Sequence, residues 1–324
     1  MSGRRVLVSL LNYNHKAYLE ECIERVRAQT HDDVELVISD NASSDGSRDV
    51  IKSYRGTYEI VLHPENTGFS GGHNRIIAGG GFNFFMTLNP DLFMEPDFIE
   101  RKVAAFEAGP RIGLVAGKLL RLDGKTIDSA GMVLSRTRKN DDRGGGEMDR
   151  GQYDIPGYVM GVMGSDGMYS REMLEDIKQG DQYFDTDFFA YREEVDLSWR
   201  ALLSGWRCRY EPRAVARHVH EYTLVPRRGK DRRATYLQFR NRYLLLAKND
   251  TLVNLARHLP FVVGYEAALF AWALLFERHL LGAYADAASL MRVMREKRKV
   301  IFSRGSLEHR EVMRFIRRRF VPDQ

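Results

Sequence analysis

Along the first ninety residues, short apolar runs alternate with polar and amphipathic stretches. Residues 5–11 are leucine and β-branched positions that predict a buried strand, ended by the polar cluster 12–15. Residues 18–29 place Leu19, Cys22, Ile23 and Val26 at helical spacing, one face of an amphipathic helix. Residues 34–39 predict a second strand, stopped by Asp40-Asn41, and the turn at 42–46 leads into a helix at 48–54 capped by Ser47 or Asp45. Residues 60–62 and 82–88 give a third and a fourth strand. Strand–helix–strand repeats this short imply parallel pairing through right-handed crossovers, an α/β fold. In such sheets ligands bind outside the carboxyl ends of the strands. The polar clusters 12–15, 40–45 and 89–91 each follow a strand at that end, so one crevice should collect them.

The last hundred residues follow another pattern. Residues 250–291 are rich in Leu, Ala and aromatics, but their longest uncharged run, 267–276, has ten residues, and Glu266 separates it from 259–265. A spanning helix needs about 20 apolar residues, so crossing a bilayer is not expected. Basic residues flank the segment at Arg227, Arg228, Lys230, Arg232 and Arg233 before it, then at 292–299 and 317–319 after it. Apolar helices edged by Lys and Arg suit an interfacial seat on anionic lipid. The alternative is a helical hairpin packed on the catalytic part or on a second copy of the chain.

Charge sharpens that division. Residues 1–220 carry 28 Lys and Arg against 34 Asp and Glu, net −6, and residues 221–324 carry 21 against 10, net +11, for +5 overall. A nucleic-acid binder would be basic throughout, so no nucleic-acid partner is expected; an acidic body with a basic tail suggests a catalytic domain (1–220) and an attachment region (221–324). Cys22 and Cys208 are the only cysteines, which excludes a disulfide framework and a four-cysteine zinc site and points to an intracellular protein. The N-terminal apolar run reads as a strand rather than a signal peptide.

Four constellations carry candidate chemistry. Asp40 could accept the imide N–H of a uracil or thymine ring, although Asp-Asn-x-Ser-Ser-Asp-Gly is equally good turn chemistry. The glycine-rich stretch 65–74 (ENTGFSGGHN) lets backbone approach a ligand and leads into a helix starting near Gly72, whose free N–H groups suit phosphate; it fits no Walker loop. Asn89-Pro90-Asp91 follows a strand, and a carboxylate there could hold Mg²⁺ or Mn²⁺ against a departing diphosphate. Glu193 and Glu194, with Asp196 opening a helix over 196–204, offer a general base for an acceptor hydroxyl; Asp196 is read as structural.

In order, LVSLLNYN, VELVISDNASSDGS, ENTGFSGGHNRII, FFMTLNPDLFMEPDF and FFAYREEVDLSWRALLSGWRCRYEPRAVARH resemble the inverting family 2 glycosyltransferases of GT-A fold. The resemblance covers residues 4 to 220 and is nearest in pattern to rhamnosyltransferase-like enzymes of bacterial cell-surface polysaccharide synthesis. It implies a GT-A catalytic domain with a helical C-terminal extension. It implies a nucleotide-sugar site taking in Ser9, Asn12, Asn14, Asp40, Asn41, Asn66, Gly68, Phe69, Gly72, Asn74 and Asn89. It further implies Asp91 and His218 as ligands of Mg²⁺ or Mn²⁺, His218 standing six residues after Pro212 beyond a strand at 207–210, with His220 not a ligand. Glu194 falls where the family's base stands, beside Glu193, although the usual pair is Glu-Asp and the extra methylene displaces the carboxylate by about 1.5 Å. The expected activity is transfer of L-rhamnose from dTDP-rhamnose, or of a hexose from a UDP-sugar, to a glycan or lipid-linked acceptor at the cytoplasmic face of the membrane. A nucleotidyltransferase would carry a glycine- and base-rich loop after the first strand, which is absent here. A non-catalytic scaffold would have lost the acids, which are present.

Overall fold

The computed structural model describes residues 4–219, 231–303, 309–318 and 320–323; the readings on His220, Arg227, Arg228, Lys230 and Arg319 lie outside the described residues. The N-terminal block runs β1 (Val6–Asn12), α1 (Lys16–Arg27), β2 (Val34–Asp40), α2 (Ser47–Ser53), β3 (Glu59–Leu62), α3 (Gly68–Ile77) and β4 (Phe84–Leu88). Its four strands lie side by side in the order β4-β1-β2-β3, all parallel, as the sequence pattern implies. The face formed by Leu19, Cys22, Ile23 and Val26 is buried in a core with Val6, Val8, Ile38 and Leu88, so helix and sheet are joined by the periodicity seen in the sequence. Ends of β1, β2 and β4 place Asn12, Asp40 and Asn89 along one edge.

From β5 (Leu92–Met94) and α4 (Phe98–Ala105) the chain enters β6 (Ile112–Arg121), β7 (Ile127–Ser129), β8 (Met132–Leu134), β9 (Asn140–Asp142), β10 (Gly157–Val159) and β11 (Met168–Ser170). Then come α5 (Arg171–Ile177), α6 (Glu193–Leu203) and β12 (Arg207–His218). Among the described residues the main sheet has eleven strands; β11 enters antiparallel between β4 and β6, making the whole sheet mixed. A mixed α/β sheet with helices packed on it agrees with the expected GT-A class.

Three elements differ from the sequence reading. Helix α3 begins at Gly68, four residues before Gly72, because Asn66 Oδ1 takes the Gly68 N–H (2.8 Å) and fixes the entry. Helix α6 begins at Glu193, not Asp196: Arg192, in the left-handed region at φ 73°, starts it, and the acids of its first turn sit favourably at the positive end of the helix dipole. The strand at 207–210 does not stop at Pro212. It runs to His218, and a register shift between Tyr210 and Val215 absorbs the proline while it pairs with β6.

The C-terminal region consists of α7 (Arg232–Asn249), α8 (Leu252–Arg257), α9 (Leu259–Phe276), α10 (Leu281–Phe302) and α11 (His309–Arg318), followed by β13 (Val321–Pro322) on the edge strand β10. It shares a core with α6: Trp199, Leu202 and Leu203 pack with Leu244, Leu245, Ala287 and Met294. Beneath that core Lys248 reaches both Asp185 (2.6 Å) and Asp196 (2.9 Å), and Asn249 also bonds Asp196 (2.7 Å).

Helix α9 corrects the ten-residue limit on apolar length. It is continuous over 18 residues, long and apolar enough to cross a membrane by length and composition. Glu266, which interrupts the run in sequence, turns inward onto Arg242 (2.8 Å) and Tyr243 (2.7 Å). The outward face is therefore apolar, with Leu275 68% and Phe276 71% exposed.

Candidate active site

At the carboxyl edge, Asp40 is buried and already partnered: Oδ2 accepts from Asn12 Nδ2 (2.9 Å), Oδ1 from the Ser43 N–H (3.0 Å), and Arg48 lies 3.3 Å away. Ser43 Oγ accepts from the Asn14 N–H (3.0 Å), and Asn14 Oδ1 takes the Ser44 N–H (2.8 Å). Asn41 spans to the glycine-rich stretch, its Oδ1 accepting from Thr67 N–H and its Nδ2 donating to the Gly68 carbonyl. Asn12, Asn14, Asp40, Asn41, Asn66 and Gly68 thus form one connected rim. Ser9 is not brought there; its hydroxyl meets His73 Nδ1 (2.8 Å) inside the core. Phe69 packs on His73 and Phe184, Gly72 lets α3 approach Leu11 (an added Cβ would lie 2.7 Å from it), and Asn74 brackets residues 183–184. These three brace the rim from behind. Asn89 is half-buried just past the end of β4, its N–H donating to the Ser165 carbonyl (3.1 Å).

Beyond it, Asp91 and His218 are brought together from β4's trailing turn and the end of β12. Asp91 Oδ1 is buried and accepts no well-formed hydrogen bond, with His218 Nε2 standing 3.4 Å away. The other imidazole nitrogen meets Asp128 Oδ2 at 2.8 Å. Burial alone would lower the His218 pKa; hydrogen bonds and charge from Asp128 and Asp91 reverse that and hold it up at about 10. Burial would likewise raise Asp91, and His218, with His15 adding to it, holds the carboxyl below its ordinary value. Asp128 and His15 were not singled out in the sequence: Asp128 lies on three-residue β7, and only the fold shows that it faces His218.

Among the described residues no group of three or more His, Cys, Asp or Glu forms a ready-made metal cage. Two side chains nevertheless fit Mg²⁺ or Mn²⁺ where substrate phosphate supplies further oxygens, since such ions keep few protein ligands. The Asp91 oxygen that accepts no hydrogen bond has the donor chemistry for this, and His218, its far nitrogen fixed by Asp128, would offer Nε2 on giving up its proton to the metal's competition.

Glu193 and Glu194 open α6, both buried (3% and 9% exposed), and Glu193 Oε2 accepts no hydrogen bond. Burial, then the neighbouring Glu194 charge, raises the Glu193 pKa well above the carboxylate range. Burial also raises Glu194, but a backbone hydrogen bond and then the Arg192 charge oppose it, and the value reaches about 7. Asp142, in a stretch whose sequence carries no readable motif, adds to the upward push. Asp196 is held by Arg200, Lys248 and Asn249, a structural role as the sequence suggested. The segment leading to the acids is strained: Phe189, Tyr191 and Arg192 all have positive φ (64°, 70° and 73°), each costing about 1 kcal/mol or more for a residue with a side chain. Its Phe189 carbonyl accepts the Ser70 N–H (3.2 Å) and comes so near Gly68 that a Cβ there would lie 2.2 Å from it.

A model of the family described as "Glycosyl transferase family 2" matches residues 8–178, more than half of the chain. An uncharacterized glycosyltransferase of Nostoc is 35% identical over 131 residues, covering 39% of this chain and 40% of its own length. The poly-beta-1,6-N-acetyl-D-glucosamine synthase of Staphylococcus aureus is 24% identical over 224 residues, 66% of this chain and 48% of its own. The chain therefore spans less than half the length of these curated relatives. Among solved structures, mannosyltransferase PcManGT from Pyrobaculum calidifontis, in complex with GDP-Man and Mn²⁺, aligns over 94% of this chain and 86% of its own (TM-score 0.54, 16% identity). S. aureus TarS aligns over 93% of this chain and 54% of its own (TM-score 0.58, 12% identity), and residues 1–349 of TarS have been solved in complex with UDP. These structural likenesses carry the fold, and the family match carries the membership: the chain belongs to glycosyl transferase family 2.

Proposed function

We propose that the protein is an inverting, metal-assisted hexosyltransferase that moves a sugar from a nucleoside diphosphate donor to a hydroxyl of a glycan or lipid-linked acceptor. The observation that carries this reading is a pair of buried carboxylate oxygens that accept no hydrogen bond, Asp91 Oδ1 just beyond the end of β4 and Glu193 Oε2 at the start of α6. Buried, unpaired polar groups are costly and call for a ligand or a reaction. Asp91 and His218 would hold Mg²⁺ or Mn²⁺, which when bound neutralises the charge growing on the departing diphosphate. Glu194, poised near neutrality, takes the acceptor's O–H proton; the acceptor oxygen bonds to the anomeric carbon as the bond from that carbon to the diphosphate oxygen breaks. The rim of Asn12, Asp40 and Asn41 supports the base and ribose of the donor. The preferred donor is dTDP-L-rhamnose, on the resemblance to rhamnosyltransferase-like enzymes alone; a UDP-sugar is the rival, supported by the UDP complex of TarS.

The same reading places the protein at the cytoplasmic face of the membrane, beside a lipid-linked acceptor. Along α9, Val262, Glu266, Leu269 and Ala273 turn toward the body, so the helix lies along α7 and α10 instead of projecting from them. Its outer face is free to sink into a lipid surface in that orientation.

The test is a donor panel of dTDP-, UDP- and GDP-sugars, scored for nucleotide release and transfer with Mg²⁺, Mn²⁺ or EDTA. Metal-dependent turnover of one donor class is expected. Full activity in EDTA would remove Asp91 and His218 from the metal role, and no turnover of any sugar nucleotide would overturn the reading.

A further inference from the structure

The residues that follow the catalytic part in sequence reach back to the strained segment in front of the two glutamates. Asn241, at the middle of α7, is fully buried. Its Nδ2 faces three backbone carbonyls of that segment: Phe188 (2.8 Å), Ala190 (2.9 Å) and Tyr191 (2.7 Å). An amide nitrogen has two hydrogens for these three acceptors, so they are shared. Its orientation is fixed because Oδ1 accepts from Arg240 Nε (3.0 Å). Arg240 also donates to the carbonyls of Asp187 (2.6 Å) and Phe188 (3.2 Å), and Lys297 of α10 holds the Asp187 carboxylate (2.7 Å). On the opposite side, the Phe189 carbonyl takes the Ser70 N–H of α3. One short segment, with positive φ at Phe189, Tyr191 and Arg192, is thus gripped between the donor-side helix α3 and α7 and delivers Glu193 and Glu194 at its end.

We infer that Asn241 is a positioning residue for the transfer reaction: its side-chain amide holds residues 188–191 in a strained backbone conformation that aims Glu194 and fixes the Phe189 carbonyl against α3. The inference rests on the proposed base role of Glu194. Positive φ at three non-glycine residues is strained and survives only where its surroundings over-determine it, and Asn241, with Arg240 and the Ser70 N–H, supplies that constraint. Loss of the amide would take a donor from the half-buried Ala190 and Tyr191 carbonyls, while the Phe188 carbonyl would keep the Ala190 N–H and Arg240.

The test uses the full chain carrying Asn241→Asp, nearly the same in shape but with two acceptor oxygens facing three carbonyls. Steady-state kinetics should show kcat lowered about 10- to 100-fold, the range over which a small displacement of a positioned group acts, with the donor KM within about threefold. Hydrogen exchange should quicken at Ser70 and Ala190 amides while the β1 and β4 amides keep their protection. Leu244→Ala, which truncates a buried side chain on the same helix, is the control: it should lower the melting temperature and leave kcat per folded molecule nearly unchanged. Should Asn241→Asp fail to fold, Arg240→Met frees the amide's orientation more gently and should show the same pattern to a smaller degree. Unchanged exchange and unchanged kcat in the variant that folds would overturn the inference. If the wild-type chain transfers no sugar at all, the activity reading falls, and exchange at Ser70 and Ala190 still decides the role of Asn241.

Discussion

Glu194 and Glu193 are adjacent acids of one type, yet their surroundings separate them. Glu193 is nearly sealed and its carboxyl has no nearby cation to favour ionisation, so it stays protonated far above the ordinary range. Burial raises Glu194 too, but a backbone hydrogen bond to its carboxylate and then the Arg192 charge oppose this and leave its pKa at about 7. A base must lose its proton before it can accept another. The rate should therefore rise as pH climbs through the Glu194 value, giving kcat/KM of the free enzyme an acid limb near pH 7. Glu194→Gln should lower turnover by about 10²–10⁴ and leave donor binding by calorimetry intact. A larger loss in Glu193→Gln would assign the base to the other position. The sequence offered both glutamates and Asp91 as candidates because each belongs to a short motif at a strand or helix end, and His218 only through the family resemblance. Asp128 was not visible, since nothing local marks an acid on a three-residue strand until β7 is folded beside the end of β12. Ser9 was misplaced for a related reason: it sits three residues before the end of β1 and points to His73, where a strand's alternation, invisible to a motif, sends it inward.

Helices and strands were legible where one periodicity ruled them. β1, β2, β4 and α1 have boundaries within two residues of the pattern, and parallel pairing followed from their spacing. Elements governed by distant partners were harder to read. Pro212 suggests an end to β12, yet pairing with β6 resumes past the irregularity, and this carries His218 to Asp91. Glu266 suggests a break in an apolar run, yet Arg242 and Tyr243, more than twenty residues earlier, accept it and keep α9 whole. Asp196 and Asp185 are likewise secured from far along the chain by Lys248 of α7. Removing that ammonium strands two carboxylates in the interior between α6 and α7. Lys248→Met should therefore reduce stability in urea unfolding by about 3–5 kcal/mol, the cost typical of breaking one side of a buried ion pair. A loss under 1 kcal/mol would mean that Arg200 and Lys297 suffice.

Over the whole molecule, the net positive charge lies after residue 220, as do most of the exposed large apolar side chains among the described residues, while the proposed catalytic edge lies before it. The shared core of α6 with α7 and α10 makes this basic region a support of the site as well as a surface. If lipid is what α9 meets, binding has two parts. Basic side chains contribute about 1 kcal/mol each near an anionic surface, screened within roughly 10 Å at 0.1 M salt. Large apolar side chains contribute about 1.5–3 kcal/mol each when fully buried, and salt does not screen this. Full-length protein should sediment with anionic vesicles, weakened but not released by high salt. The pair Trp272→Glu and Phe276→Glu should release it while leaving soluble sugar transfer intact. Equal sedimentation of wild type and double variant would exclude α9 as the lipid contact, and dimers lost on the same substitutions would assign the face to a second copy. A single displacement at one crevice is the core of the proposed reaction, and the anomeric configuration of the product tests it most directly. Proton NMR of the newly formed glycosidic linkage, made by the full chain from a defined donor with Mn²⁺ present, should show configuration opposite to that of the donor; retained configuration would contradict Glu194 as the base of an inverting transfer.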